Sequence, residues 1–524
     1  MRRIILALML VVLGAADVRA QTTAALLDTV QHSSFLYFWS EANPANGLIK
    51  DRSTSGSSAS IAAVGFGLSS ICAGIDHGWV TREAGRDRVL TTLETFWTEP
   101  QGSGANGFIG YKGFFYHFLN MTTAVRAGDC ELSTIDTALL LAGILDAKQY
   151  FTGSDPVEIQ ICALADSIYR RADWEFARNG AQGIYMGWKP GTGYSGFGLW
   201  QGYNEAMILY LLALGSPTHP VPTSTWNYWM SGYKWSTLSG QSYYYFAPLF
   251  GHQYSHCWVD FRTLQDQAMR FRGITYFENS RRATLAQRTY AIANPLQWVG
   301  YSDSLWGLTA SDYPGGYKAR GAPPAENDDG TITPTAPIGS IAFAPDEVIP
   351  VVRNMFQNYP LLCGPYGFRD AFNLSVNPVW YDTAYLGIDQ GPIVMMIENY
   401  LTGSVWNRFM LNPDIQTGLT RGGFINVAGV EDPPLLAPQE WLAWSQPNPF
   451  TRSTTIRFRL PAAGPVRLGV YDLFGRLVSR LLDETRPAGE HAVAWQPGSV
   501  PSGVYYVRLE CGGHTVTKRC VKLQ

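Results

Sequence analysis

The chain has little charge, no cysteine pairing pattern typical of a metal site, and no long apolar run past its first residues. Only 15% of its 524 residues are charged, and 39 basic against 42 acidic side chains leave a formal net charge of -3. That balance gives no electrostatic reason to bind nucleic acid or an anionic membrane surface. Among the 7 cysteines no Cys-x-x-Cys pair occurs. Cys72, Cys130, Cys162, Cys257 and Cys363 stand among apolar neighbours and read as buried thiols, not as a disulfide framework or metal site. Cys511 and Cys520 could face each other across a terminal hairpin and join in a disulfide if the protein is exported. His252 and His256 are four apart, as zinc ligands on a helix can be, but no Glu follows His252 and the stretch lacks a helical pattern. Asp328-Asp329-Gly330 lacks the EF-hand spacing and reads as turn chemistry. No metal and no cofactor is expected. Past residue 20 no apolar stretch is long enough to span a bilayer.

Aromatic residues, in contrast, reach 13% and apolar residues 46%. Many aromatics with little charge suit a neutral, polyhydroxylated ligand better than a phosphorylated one. A large helical core also uses many aromatics, so composition leaves both readings open. Arg2 and Arg3, the apolar run from Ile4 to Gly14, and Val18-Arg19-Ala20 form an export-signal pattern over residues 1–20. The protein is expected to be secreted or held at the cell surface.

From residue 22 to 424 the pattern alternates helix and loop. Helices are expected at 24–40, 61–77, 82–98, 132–151, 156–177, 204–214, 264–277, 281–293, 345–358 and 389–401, from apolar spacing and from caps such as Thr81 and Asp155-Pro156. Helices in that number, joined by Gly- and Trp-rich loops, suggest pairs stacked in a ring with a pocket at one end. Residues 242–250 read as strand-like decoration of its rim. After Phe424 a Pro-rich linker over 425–445 gives way to period-two alternation at 454–460, 466–471, 491–495, 503–509 and 515–523. These segments predict a small β-sandwich over 446–524.

One block carries chemistry. An aromatic, glycine-rich loop from Gly198 through Trp200, Gly202 and Tyr203 delivers Asn204-Glu205 to the start of an apolar helix. A glycosidase needs a carboxylic acid that keeps its proton near neutral pH, and aromatic, partly desolvated surroundings supply that. Glu205 fits that need. It also fits a plain first-turn acid favoured by the helix dipole. Asp389, in Gly387-Ile388-Asp389-Gln390-Gly391-Pro392, sits where a loop enters the last long apolar helix, as a base or as an N-cap. Asp136 lies near another helix start, to contact a substrate or to serve structure. Asp260 and Arg262 read as an ion pair or as pocket donors. Arg281-Arg282 and Arg369-Asp370 are either framework pairs or substrate donors.

Eight blocks spread over residues 30–424 carry a family resemblance: ELSTIDTALL at 131–140, GYNEAM at 202–207, HCWVDFR at 256–262, FENSRRAT at 277–284, WGLTA at 306–310, DDGTITPT at 328–335, YGFRDAFN at 366–373 and YLGIDQGPI at 385–393. The long domain resembles the glucoamylase-like domain of glycoside hydrolase family 144, whose characterised members are endo-β-1,2-glucanases. The tail, with QPNPF at 446–450, VYDLFGRLV at 470–478 and PSGVY at 501–505, resembles the type A sorting domain of the type IX secretion system. The resemblance implies an (α/α)6 toroid over 21–424, inverting hydrolysis of linear β-1,2-glucan to sophorooligosaccharides, and partners limited to glucan and secretion machinery. It puts the acid at Glu205 and ranks Asp389 first as base, with Asp136 assisting. Sugar contacts are expected from Glu131, Asn204, Asp260, Arg262 and Arg369, with stacking by Trp200, Tyr203, Trp258, Trp306 and Trp380. Exo-acting or transglycosylating chemistry, and a surface protein that only binds glycan, are the alternatives.

Overall fold

The computed structural model describes residues 22–427, 442–460, 463–472, 476–511 and 514–523. The expected export signal over 1–20 lies outside the described residues, as do residues 428–441 of the linker expected over 425–445; Ile425–Asn426 and Leu442–Gln446, at its two ends, are strands instead. The chain divides into two compact units, Met1–Asp432 and Pro433–Gln524.

The first unit is helical. Its framework is α1 (Thr23–Ser40), α2 (Ile61–Asp76), α3 (Arg82–Thr98), α4 (Thr134–Tyr150), α5 (Pro156–Arg171), α6 (Met207–Gly215), α7 (Tyr254–Trp258), α8 (Tyr276–Ala293), α9 (Thr335–Ile338), α10 (Pro345–Asn358), α11 (Gly387–Leu401) and α12 (Pro413–Arg421). Side-chain caps start several of them: Ser60 for α2, Thr81 for α3, Ser133 for α4 and Asp155 for α5 each accept a first-turn N–H.

Burial separates two layers. Every residue of α6 is buried, as are residues 61–74 of α2 and nearly all of α11. In α10, by comparison, only Val348, Val351, Val352 and Met355 are buried. A helix that is apolar all round belongs inside, and one with a single apolar stripe belongs outside. The inner helices close on one another: α2 packs on α4 and α11, α4 on α6, α6 on α7, and α7 and α9 on α11. The seam between α2 and α4 is backbone on backbone. A Cβ on Gly65 would lie 2.3 Å from Leu139 O, and one on Gly143 would lie 2.0 Å from Gly65 O. Only glycine permits that approach.

Contacts at the helix ends fix their direction. At the N-terminal ends, Ile61 donates to His117 O, Thr134 to Met186 O and Gly387 to Asp51 O, all within loops that meet each other. At the C-terminal ends, His77 meets Glu398 and Arg408 meets Asp146. The N-termini of α2, α4 and α11 therefore open on one mouth.

The structure corrects some boundaries. Residues 264–277 are not one helix. Leu264–Gln265 pairs with Ile425–Asn426, Gln267–Arg272 is a short helix ended by Gly273 at φ +64°, and Thr275 caps a new start at Tyr276. The glycine stop overrides the apolar spacing. The helix expected from residue 204 begins at Met207, because Asn204 Oδ1 accepts the Ala206 N–H in a turn of its own. Within 242–250 the strand is confined to Gln241–Tyr244, paired with Trp235–Leu238.

The second unit holds a three-stranded antiparallel sheet (Leu442–Gln446, Thr454–Leu460, Gly489–Trp495) and a four-stranded one (Leu477–Arg486, Gly464–Tyr471, Gly503–Cys511, His514–Lys522). Ile456, Phe458 and Trp495 from the first share one core with Val466, Leu468, Val470, Val507 and Leu509 from the second. The strand Leu477–Arg486 was not expected, since its burial has no period-two alternation. The disulfide expectation fails on register. Cys511 pairs with His514, and Cys520 with Tyr505, six ladder positions away. That is roughly 20 Å of strand, far beyond the ~7 Å between Cα atoms that a disulfide allows.

Candidate active site

Glu205 lies in the turn before α6. Its carbonyl accepts from Ser255 Oγ at 3.1 Å, and the same Oγ accepts from Ile208 N at 3.0 Å, so α7 and α6 fix the turn together. Among the described residues no cation shifts the carboxyl, and Oε2 is buried without a hydrogen-bond partner. Burial, with the charge of Asp136 adding to it, pushes the carboxyl up to about 7.

Asp136 lies in the first turn of α4, hydrogen-bonded to the Ser133 hydroxyl. His117 bridges two acids, with Nδ1 2.9 Å from Glu131 and Nε2 3.5 Å from Asp136. Burial opposes charge on this imidazole, but Asp136 and Glu131 outweigh it and lift His117 to about 9. The site thus holds an imidazolium across the neutral range. Its hydrogen bond in turn holds Glu131 below the usual carboxylate range.

Asp389 lies in the first turn of α11, but it is not the cap. Leu386 occupies the N-cap, with no side-chain cap bond. The Asp389 carboxyl is buried, Oδ2 has no hydrogen-bond partner among the described residues, and the carboxyl of Asp370 is an electrostatic neighbour. Burial, then the side chain of Asp370 working against it, then the charges of Asp312 and Asp51, leave Asp389 at about 7. Asp370 accepts the Asp312 N–H at 2.7 Å on Oδ2. A carboxylate oxygen from each of Asp312, Asp370 and Asp382 lies within 4.8 Å of the others. Burial raises Asp382 to about 6. Arg52 spans this cluster, donating to both Asp312 oxygens at 3.2 and 2.9 Å and to Asp51 at 3.2 Å.

Two tyrosines join the halves of the site. The Tyr254 phenol, at the start of α7, feels the charge of both Asp389 and Glu205. Tyr317, on the hairpin of Ala310–Tyr313 and Gly316–Ala319, feels Asp389, Asp370, Asp51 and Asp312 while 46% of it stays exposed. Carboxyls far apart in sequence thus converge at the mouth formed by the N-termini of α4, α6 and α11.

Other expected site residues are placed differently. Trp200, 8% exposed, donates its indole N–H to Thr134 Oγ1 at the start of α4. Trp380 is half-buried on a strand beside Phe372–Asn373, and Arg369 donates to Asp382 O. Trp258 and Trp306 are 0% exposed and cannot stack on a sugar. Trp258 lies against Phe66 with its N–H on Ser69. Tyr203 is packed among Tyr233, His252 and Tyr276, and Asn204 spends its amide on the turn. Asp260 and Arg262 pair with each other, and Arg262 stacks over Trp406. Trp406 N bonds to Asn399, ten residues along α11 from Asp389 and so about 15 Å down the axis. That pair belongs to the opposite end of the ring. Asp51, Arg52, His117, Tyr254, Asp312, Tyr317 and Asp382 were not expected, and Asp370 was read only beside Arg369, as part of a framework pair or a substrate donor.

A ring of buried helices whose N-termini open on an acidic mouth defines an α/α toroid. A family model described as "Putative glucoamylase" matches residues 198–413, and one described as a secretion system C-terminal sorting domain matches residues 446–523. A solved protein of that first description from Bacteroides uniformis is 35% identical, with 78% of this chain and 98% of that one covered at a TM-score of 0.71. An endo-β-1,2-glucanase from Chitinophaga pinensis, solved with sophorotriose and glucose, is 29% identical, with 78% and 99% covered at a TM-score of 0.71. An exo β-1,2-glucooligosaccharide sophorohydrolase (non-reducing end) from Parabacteroides distasonis is 32% identical over 442 residues, 78% of this chain. The chain spans 59% of that relative's length.

The chain belongs to the glucoamylase-like family of glycoside hydrolase family 144 type, and it carries a C-terminal secretion sorting domain. No helix among the described residues is long and apolar enough to cross a membrane.

Proposed function

We propose that the protein is an exported glycoside hydrolase that cleaves linear β-1,2-glucan within the chain, with inversion and without a cofactor. One observation carries the reading: Glu205 Oε2 and Asp389 Oδ2 are buried without a hydrogen-bond partner among the described residues, both carboxyls are raised to about 7, and both act on Tyr254. Inversion needs one carboxyl that donates a proton to the leaving oxygen and one that takes a proton from the attacking water. Glu205 is the acid, because no cation draws its proton away. Asp389 is the base, and Asp136, held by His117, keeps negative charge near Glu205. Glu131, Trp200, Arg369 and Trp380 are candidate sugar contacts. The inner helices α2, α4, α6, α7, α9 and α11 form the core of an (α/α)6 toroid over 21–424. The tail over 446–524 is a β-sandwich that routes the chain across the outer membrane, after removal of residues 1–20.

The test is a reducing-end assay on β-1,2-, β-1,3- and mixed-linkage glucans. Wild type is expected to act on the β-1,2 polymer, with Glu205→Gln and Asp389→Asn each losing ~10²–10⁴-fold in kcat while still binding. Unchanged turnover in either variant removes that residue from its role. The name of the Parabacteroides distasonis relative favours a second reading, exo release of sophorose. A ladder of longer early products supports the endo reading, and sophorose from the first minutes supports the exo one.

A further inference from the structure

The hairpin of Ala310–Tyr313 and Gly316–Ala319 has two faces that are used differently. Antiparallel partners point to the same side of a ribbon, with Cβ atoms about 5 Å apart, and neighbours along a strand alternate. Tyr313 and Lys318 therefore share one face, and the directly paired Asp312 and Tyr317 share the other. The first face is closed. Lys318 Nζ lies 4.6 Å from the centre of the Tyr313 ring and the Arg320 guanidinium 5.1 Å from it, and the two cations pair with Asp329 at 2.9 and 2.8 Å.

The second face meets the base. Asp312 takes Arg52 on both carboxyl oxygens, and its N–H goes to Asp370. The Arg52 backbone bridges to Leu386, the N-cap residue of α11, in the turn that leads to Asp389. The register thus carries Tyr317 to the Asp389 side of the mouth, and its phenol feels the acids gathered there. Among the described residues, however, no hydrogen bond and no ring contact engages the side chain, and 46% of the residue is exposed. Tyr254, by comparison, packs on Phe66 and Phe250, and Trp258 and Trp306 lie inside. An aromatic face left in water on a braced strand is stabilised when an apolar surface covers it, and the C–H face of a pyranose is such a surface. The carboxyls beside it repel an anion and accept hydrogen bonds from hydroxyls, which selects a neutral sugar.

We propose that Tyr317 is the sugar platform on the base side of the site: its ring stacks on the pyranose that Asp389 faces and supplies affinity for the glucan, while Asp312 and Arg52 hold its hairpin in place. The identity of the sugar rests on the glycosidase reading above. Tyr317 makes and breaks no bond. Contact of this kind is present before and during the reaction, so its loss raises KM and spares kcat.

Tyr317→Ala is expected to raise KM on β-1,2-glucan about 10-fold, the scale of one lost ring contact, with kcat within about 2-fold and an unchanged Tm. Tyr317→Phe keeps the ring and should stay within about 2-fold of wild type in both constants. Titration calorimetry in a Glu205→Gln background, where glucan binds without being cut, should show the same loss of affinity for Tyr317→Ala. Tyr313→Leu is the control from the closed face, with a lowered Tm and an unchanged KM.

Tyr317→Ala with the wild-type KM overturns the proposal and spares the enzyme reading. Tyr317→Phe as weak as Tyr317→Ala overturns it too, because the hydroxyl and not the ring is then what the glucan meets. So does a kcat that falls at constant KM, since the hairpin then serves the chemical step. Tyr317-dependent binding of a β-1,3-glucan by a protein that leaves the β-1,2 polymer intact sinks the substrate reading and supports the platform.

Discussion

The two ends of the helix ring treat the same kind of side chain in opposite ways. α4 carries Asp136 at the mouth and Asp146 at the far end, and α11 carries Asp389 and Glu398. At the far end each acid has its partner. Both oxygens of Asp146 accept from Arg408, at 2.7 and 2.8 Å. Glu398 accepts from His77 at 2.7 Å, Gln31 at 2.8 Å, Thr402 and Ser404. Burial alone would raise Glu398, but those bonds prevail and hold it at about 2. At the mouth the opposition is weaker: burial outweighs a backbone N–H at Glu205 and the side chains of Asp370 and Arg52 at Asp389, and both rise to about 7. Buried carboxyls are thus made into structure or into chemistry by what stands next to them, not by depth.

Exchanging the partners should break this contrast. The largest effect is expected from Glu205→Gln, which removes turnover yet gains thermal stability at pH 8. The sign follows from linkage. A carboxyl raised in the folded state binds more protons there than when unfolded, so it lowers stability as pH rises from its ordinary value to about 7. A neutral amide escapes that loss, and calorimetry beside the reducing-end assay checks both halves.

The reverse is expected at the far end. Arg408→Met leaves Asp146 buried and unmatched, which costs about 3–5 kcal/mol in stability. Turnover per folded molecule should hold, as a urea melt and an active-fraction assay would read. Next comes the pH profile of the wild type. Glu205 must be protonated and Asp389 ionised, and both lie at about 7. The kcat/KM profile should be a narrow bell near neutrality, and a broad plateau would contradict the assignment. The smallest effect is expected from His117→Gln. Removing the imidazolium leaves Asp136 and Glu131 uncompensated near Glu205, so the alkaline limb should move to higher pH.

The parts of this contrast legible in the sequence were those written locally. Thr81 and Asp155 announced helix starts because a cap is a matter of three or four residues. Glu205, Asp389 and Asp136 stood out because each precedes or opens an apolar run. Asp312 and Asp382 did not, and Asp370 did so only beside Arg369, because the three come from a hairpin and short loops that only the closed ring brings within 4.8 Å. Trp258 and Trp306 were misjudged for the converse reason. An indole that packs a core and one that receives a sugar look alike until burial is known. Gly273 stopped a helix that apolar spacing favoured, since a left-handed residue outweighs one more turn of periodicity.

The paired glycines where α2 meets α4 have a consequence for the width of the whole opening. With Gly65 and Gly143 in place, the two backbones touch and the circumference is as small as that junction can make it. A single methyl group on either would force a wedge into the wall and carry Asp136 away from the rest of the rim. The spacing of these two walls is therefore set by two hydrogen atoms, and a relative that swaps them for alanine should accept a bulkier guest or lose its fit for this one.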